Sequence, residues 1–227
     1  MKYYLWFALL LAFSSLSAES WTVLVYMAAD NNLAQQGRLD LNSMESVAQP
    51  AGLNLIVQAD FPEGAYRYRI TQDNSTAITS PVLSNLGTID SGNPYTLNNF
   101  LRWGYESFPS DRTMLVIWSH GDSWYKNEGK WICPDDSAEN LISISEGDLA
   151  KAFVSIPKLD VLLFDACSMQ GIEVLGEVHS YANYLIGSAD LVPVNGFPYE
   201  TIIPLFEGTI DSILQQIPLL YVESYYP

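Results

Sequence analysis

Two rhythms alternate along the chain. Short unbroken apolar runs are followed by stretches in which apolar residues recur every three or four positions. Residues 21–28 (WTVLVYMA) are apolar without polar alternation, the pattern of a strand buried on both faces of a parallel sheet. Asp30 and Asn31 then predict the cap of a helix carrying Leu41, Met44 and Ala48. Residues 53–59 (LNLIVQA) predict a second strand, joined through Pro62, Glu63 and Gly64 to a third over 66–71. Residues 72–95, rich in Ser, Thr, Asn, Gly and Pro, read as loop. A helix with Thr96 as cap carries Leu97, Phe100, Leu101, Tyr105 and Phe108. Further buried strands are predicted at 114–118 (MLVIW), 161–164 (VLLF) and 184–188 (YLIGS). A helix through Met169, Ile172, Leu175 and Val178 separates the last two, and a final helix through Ile210, Ile213, Leu214 and Ile217 is predicted to break at Pro218.

Strands alternating with helices predict a doubly wound α/β sandwich around a mostly parallel sheet. No repeat or linker divides the chain, so residues 19–227 read as one domain. The ending Tyr225-Tyr226-Pro227 carries no terminator, which leaves room for a longer protein.

The first eighteen residues follow a different logic. Lys2, the apolar run 3–13 and the small residues Ser14, Ser15, Ser17 and Ala18 have the order of a signal peptide. The mature chain is expected to begin near Glu19 and to be exported to the periplasm or the extracellular space. The run is shorter than a membrane-spanning helix requires, and an uncleaved anchor is the alternative to removal.

Composition narrows the partners. Apolar residues make up 48% of the chain and charged ones 16%, which excludes intrinsic disorder and coiled coil. The formal charge is −16. Such a surface repels phosphate backbones and anionic lipid, so neither nucleic acid nor membrane is an expected partner.

The chemistry should sit beyond the carboxyl ends of the parallel strands. Residues 114–118 run into Ser119-His120-Gly121, and residues 161–164 into Asp165-Ala166-Cys167. The chain has two His and two Cys, and one of each falls at such an end. Imidazole beside thiol supplies a nucleophile and a proton donor. A helix beginning at Ser168 would add its positive end near Cys167. His179, in the middle of a predicted helix, reads as structural. Two Cys in an exported chain also admit a Cys133–Cys167 disulfide, which would make the domain a catalytically silent binding or scaffold module. The chain has no G-x-S-x-G elbow, phosphate loop, dinucleotide fingerprint or metal-ligand spacing. The acidic stretch 135–140 lacks the glycine of a calcium loop and reads as solvated.

These residues also carry a resemblance. WTVLVYMAADNNL at 21–33, VIWSHGDSW at 116–124, CPDDSAENLISISEGDLAKAF at 133–153, LLFDACSMQGIEV at 162–174 and GFPY at 196–199 resemble, in order, the clostripain family of cysteine peptidases. The resemblance implies a caspase-like α/β/α sandwich with a mostly parallel central sheet, and a His120–Cys167 dyad. It implies an oxyanion hole from the backbone N–H groups of Gly121 and Cys167, and cleavage of peptides or proteins after Arg or Lys. No cofactor is implied for the chemistry, while calcium is compatible with the family pattern. Asp165, two residues before Cys167 on an extended segment, projects from the same face and suits a basic side chain. Asp190 is the candidate second carboxylate, although Leu191 and Val192 beside it depart from the family's acid-rich pattern. The resemblance also implies self-cleavage between the dyad segments. Lys126 and Lys130 are the candidates, with Gly129 easing extension of Lys130 into a cleft.

Overall fold

The computed structural model describes residues 19–122 and 129–226. Strand β1 (Trp21–Ala28), buried along its whole length, leads through α1 (Ala34–Glu45) to β2 (Leu53–Phe61). The chain reverses into β3 (Gly64–Arg69) and β4 (Val82–Gly87), then passes through α2 (Pro94–Ser107) to β5 (Arg112–Trp118). Three short strands follow: β6 (Gly121–Asp122), β7 (Trp131–Asp135) and β8 (Asn140–Ser143). Helix α3 (Asp148–Lys151), β9 (Leu159–Asp165), α4 (Ile172–Val178) and β10 (Ala182–Ile186) come next. The last helices are α5 (Tyr199–Ile202) and α6 (Ile210–Tyr225).

Seven strands form the main sheet in the order β10-β9-β5-β1-β2-β3-β4, while β6, β7 and β8 form a separate sheet. The five strands from β10 to β2 are parallel, and β3 and β4 are antiparallel additions. Period-2 alternation sends Val23, Val25 and Met27 of β1 into one core, with Leu41 and Met44 of α1 and Ile213 and Ile217 of α6. Leu24, Tyr26 and Ala28 face the opposite core, with Leu97, Phe100 and Leu101 of α2 and Val174 and Val178 of α4. The result is the α/β/α sandwich that the alternation of strands and helices predicts.

The departures have local causes. Helix α1 begins later than a cap at Asp30 or Asn31 requires, because Asn31 Oδ1 instead accepts from Leu33 N–H in an Asx turn. In α2, Asn93 rather than Thr96 is the cap; it accepts from Tyr95 N–H and is followed by Pro94 in the first turn. Within the predicted loop 72–95 lies β4, a mostly exposed edge strand whose pairing with β3 is irregular, so it has no apolar signature to read. Pro218 does not end the last helix: α6 continues to Tyr225 with Ile213 and Ile217 anchored in the core. The acidic stretch 135–140 is the β7–β8 turn. Its first residue, Asp135, is buried and accepts from the Ser91 N–H and hydroxyl and from Ala138 N–H.

Candidate active site

The ladder between β5 and β9 pairs Trp118 with Asp165. His120 and Cys167 each lie two residues further on, so the register delivers them side by side at one rim. Both line a cleft of about 270 Å³, together with Asn32, Trp118, Asp165 and Val192.

The segment that carries His120 is tied on three sides. The Ser119 hydroxyl donates to Ala28 O at 2.7 Å, and Ser119 N–H donates to Asp165 O at 3.2 Å. The His120 carbonyl accepts from Cys133 N–H at 3.2 Å. Its Nε2 lies 2.6 Å from Asn32 Oδ1. Burial holds the imidazole pKa below its usual value, and the Asp136 carboxylate partly opposes that shift.

Cys167 is a half-buried free thiol. Val192 N–H donates to its sulfur at 3.3 Å. Gly121 is required by close approach: a Cβ there would lie 2.9 Å from Cys167 O and 2.8 Å from Met169 Cε. The helix expected from Ser168 starts only at Ile172; Ser168 itself has φ 61° and belongs to the intervening turn. The positive helix end near Cys167 is therefore not part of the site, since a dipole acts within its first turn.

Asp165 is buried and has partners far along the chain. Its Oδ2 accepts from Tyr199 Oη at 2.8 Å and from Phe197 N–H at 3.2 Å, so it clamps the 196–199 segment rather than capping the turn that follows β9. Gly196, at φ 59°, passes so near that a Cβ would lie 2.8 Å from Oδ2. Desolvation pushes the Asp165 pKa up to about 6, against the lowering effect of those two donors. Asp190 is exposed and lies outside the cleft lining. Its Oδ1 accepts from the neighbouring Leu191 N–H, and its backbone carbonyl from Ser168 N–H.

The predicted alternative of a Cys133–Cys167 disulfide is overturned. Both cysteines are free; Cys133 is packed in the core with Ile132 and Ile142, where burial drives its pKa far upward. His179 caps α4 and its Nδ1 lies 2.9 Å from Gly176 O; it is not among the residues that line the cleft. Lys126 falls outside the described residues, as does the predicted signal segment 1–18. Lys130 is anchored rather than free. Its N–H donates to Ser145 Oγ, its carbonyl accepts from Ile144 and Ser145 N–H, and its Nζ pairs with Glu173 at 2.8 Å.

Three residues of the site go unnoticed in the sequence. Asn32 looks like the start of a helix, and Trp118 looks like strand core. Trp118 is indeed buried strand core, and it also lines the cleft while its indole N–H donates to the buried Asp40 at 2.7 Å. Tyr199 lies in the GFPY segment, yet its partner Asp165 is 34 positions away. Among the described residues no three His, Cys, Asp or Glu side chains are grouped to hold a metal ion. Among the described residues, no helix is long and apolar enough to cross a membrane.

A family model described as the clostripain family matches residues 25–227. A secreted C11 cysteine protease from Bacteroides thetaiotaomicron, solved with an irreversible peptide inhibitor, is 31% identical with a TM-score of 0.79. The match covers 92% of this chain and 59% of that one. An inactive zymogen C11 protease from Parabacteroides distasonis is 27% identical with a TM-score of 0.74, again over 92% and 59%. A second secreted C11 cysteine protease from B. thetaiotaomicron, iotapain, shares the fold with a TM-score of 0.72 at 22% identity, over 88% of this chain and 61% of that one. The chain thus spans about three fifths of the length of these solved relatives. None of the curated proteins compared with it matches.

Proposed function

Because the chain belongs to the clostripain family of cysteine peptidases, we propose that it is an exported endopeptidase that cleaves peptide bonds after Arg or Lys. One observation carries the reading: His120, Cys167 and the buried carboxylate of Asp165 line a single cleft. The Cys167 sulfur attacks the scissile carbonyl and its proton passes to His120. The resulting imidazolium gives that proton to the leaving amine, and the thioester is then hydrolysed by a water that His120 deprotonates. Backbone N–H groups of Gly121 and Cys167 stabilise the oxyanion, each contributing on the order of 3 kcal/mol.

Specificity follows from Asp165. An Arg or Lys side chain entering the cleft meets a carboxylate in a desolvated setting, where a charge pair is strongest. The exposed position of Asp190 makes it a rim contact at most. The peptide inhibitor bound by the B. thetaiotaomicron relative supports a peptide substrate, and that relative's description as secreted supports export. The P. distasonis relative is described as an inactive zymogen; for this chain the reading includes activation by self-cleavage between the dyad segments, after Lys126 or Lys130. Calcium enters no step. Turnover of a fluorogenic Arg-terminated peptide, beside a Cys167→Ala control, is the test. Equal rates for the two proteins would overturn the reading.

A further inference from the structure

We propose that Asn32 is the positioning residue of the dyad, a role that rests on the cysteine-peptidase reading above. Its side-chain oxygen lies 2.6 Å from His120 Nε2. An amide oxygen has no proton to give, so the hydrogen in this bond sits on Nε2. That fixes the neutral imidazole as the Nε2–H tautomer. Nδ1 is then the ring nitrogen with a lone pair, and the one that exchanges a proton with the Cys167 thiol.

The surrounding hydrogen bonds make this geometry firm. Asn31 is buried; its Nδ2 donates to Ala28 O at 3.1 Å and to Pro134 O at 2.9 Å, while its Oδ1 accepts from Leu33 N–H at 2.9 Å. The loop is thereby held on both sides of Asn32. Ala28 O also accepts from the Ser119 hydroxyl, so the segments carrying Asn32 and His120 hang from one carbonyl. Cys133 N–H fixes the His120 backbone from the other side.

The choice of amide over carboxylate has a consequence. When the thiol proton moves to Nδ1, the S–H bond breaks, an N–H bond forms, and a thiolate faces an imidazolium. Asn32 keeps accepting from Nε2–H in both states but adds no charge. A carboxylate would hold the imidazolium more tightly and slow its delivery of the Nδ1 proton to the leaving amine.

Asn32 is exposed and its side chain bonds no other described residue in the structure, so its substitution leaves the core untouched. The test reads His120 directly. Long-range ¹H–¹⁵N correlation spectra of the protein contain two imidazoles, His120 and His179. In the unsubstituted protein the His120 signals should report a proton on Nε2, and in Asn32→Ala the averaged pattern of two tautomers. On an Arg-terminated fluorogenic peptide, Asn32→Ala should lower kcat by at least about tenfold with KM little changed. Asn32→Asp should restore the Nε2–H tautomer and move the His120 titration to higher pH. An unchanged His120 spectrum or an unchanged kcat in Asn32→Ala overturns the proposal. An unsubstituted protein with no turnover defeats the peptidase reading instead, and the tautomer still decides the role of Asn32.

Discussion

The Tyr199 hydroxyl donates to Asp165 Oδ2 at 2.8 Å and so ties the segment after β10 to the end of β9. Burial raises the Asp165 pKa, and this bond, together with the one from Phe197 N–H, opposes that rise. Asp165 titrates near pH 6, and a cationic substrate pairs only with its ionised form. The kcat/KM for Arg peptides should therefore fall as pH drops through about 6. In Tyr199→Phe one lowering influence is gone, so the same limb should move to higher pH. Asp165→Asn should lose most discrimination between Arg and Gln substrates, by two to three orders of magnitude at roughly 3–4 kcal/mol for an unpaired desolvated charge. The pH profile of Tyr199→Phe measured beside the unsubstituted protein checks the first part. An unmoved limb contradicts it.

Half of this arrangement is legible in the sequence. His120 and Cys167 end apolar runs, and parallel strands deliver such positions to one rim, so their placement at one cleft can be read without coordinates. The partners of Asp165 cannot. Tyr199 and Phe197 reach it from a segment whose path depends on Gly196 adopting a positive φ against the carboxylate. Likewise β6, β7 and β8 are too short and irregular to show periodicity, although they deliver the Cys133 N–H to the His120 carbonyl. Patterns two or four residues long report elements. Contacts between distant loops have no such period.

The two thiols should behave differently. Cys167 lines the cleft and is half-buried, whereas Cys133 is fully buried with a strongly raised pKa. Folded protein should take up one equivalent of iodoacetamide, at Cys167, and a second only after unfolding. Cys167→Ala and His120→Ala should each abolish turnover with the fold intact. Cys133→Ala and His179→Ala should retain it. Two rapidly alkylated thiols in the folded state, or none, would contradict these assignments.

Stability should decline as the solution becomes alkaline. Asp40 and Asp60 titrate near 7 and Asp165 near 6, each raised chiefly by burial from a reference of 3.8. The native state thus binds protons more tightly than the unfolded chain. The stabilisation is fully present below about pH 4 and is lost as pH rises through 6 to 7. Over that window self-repulsion among surface carboxylates acts in the same direction. Thermal unfolding should show a higher Tm at pH 5.5 than at pH 8. Asp60→Asn should flatten the dependence, because Asp60 also faces Asp135 and Asp30 and leaves Oδ2 buried without a hydrogen bond. A Tm that rises toward pH 8 in both proteins would refute the linkage.

Self-cleavage is the most demanding expectation, because Lys130 is less accessible than an open loop would make it. The carbonyl to be attacked accepts two backbone N–H groups, from Ile144 and Ser145, and the Lys130 N–H is held by the Ser145 hydroxyl. Cleavage after Lys130 requires these bonds to open, at about 0.5–1.5 kcal/mol each. The Nζ–Glu173 ion pair, near the surface, adds little. The anchoring should therefore slow nicking at Lys130 without forbidding it. Ser145→Ala removes the hydroxyl bond and should accelerate cleavage after Lys130, leaving any cleavage after Lys126 at its original rate. Cys167→Ala should remain a single chain throughout. Intact-mass analysis during a long incubation distinguishes the two sites by fragment mass. A single-chain mass in active unsubstituted protein at every time point would mean that no self-cleavage step exists. Equal Lys130 rates with and without the Ser145 hydroxyl would instead show that its hydrogen bond does not gate the cut.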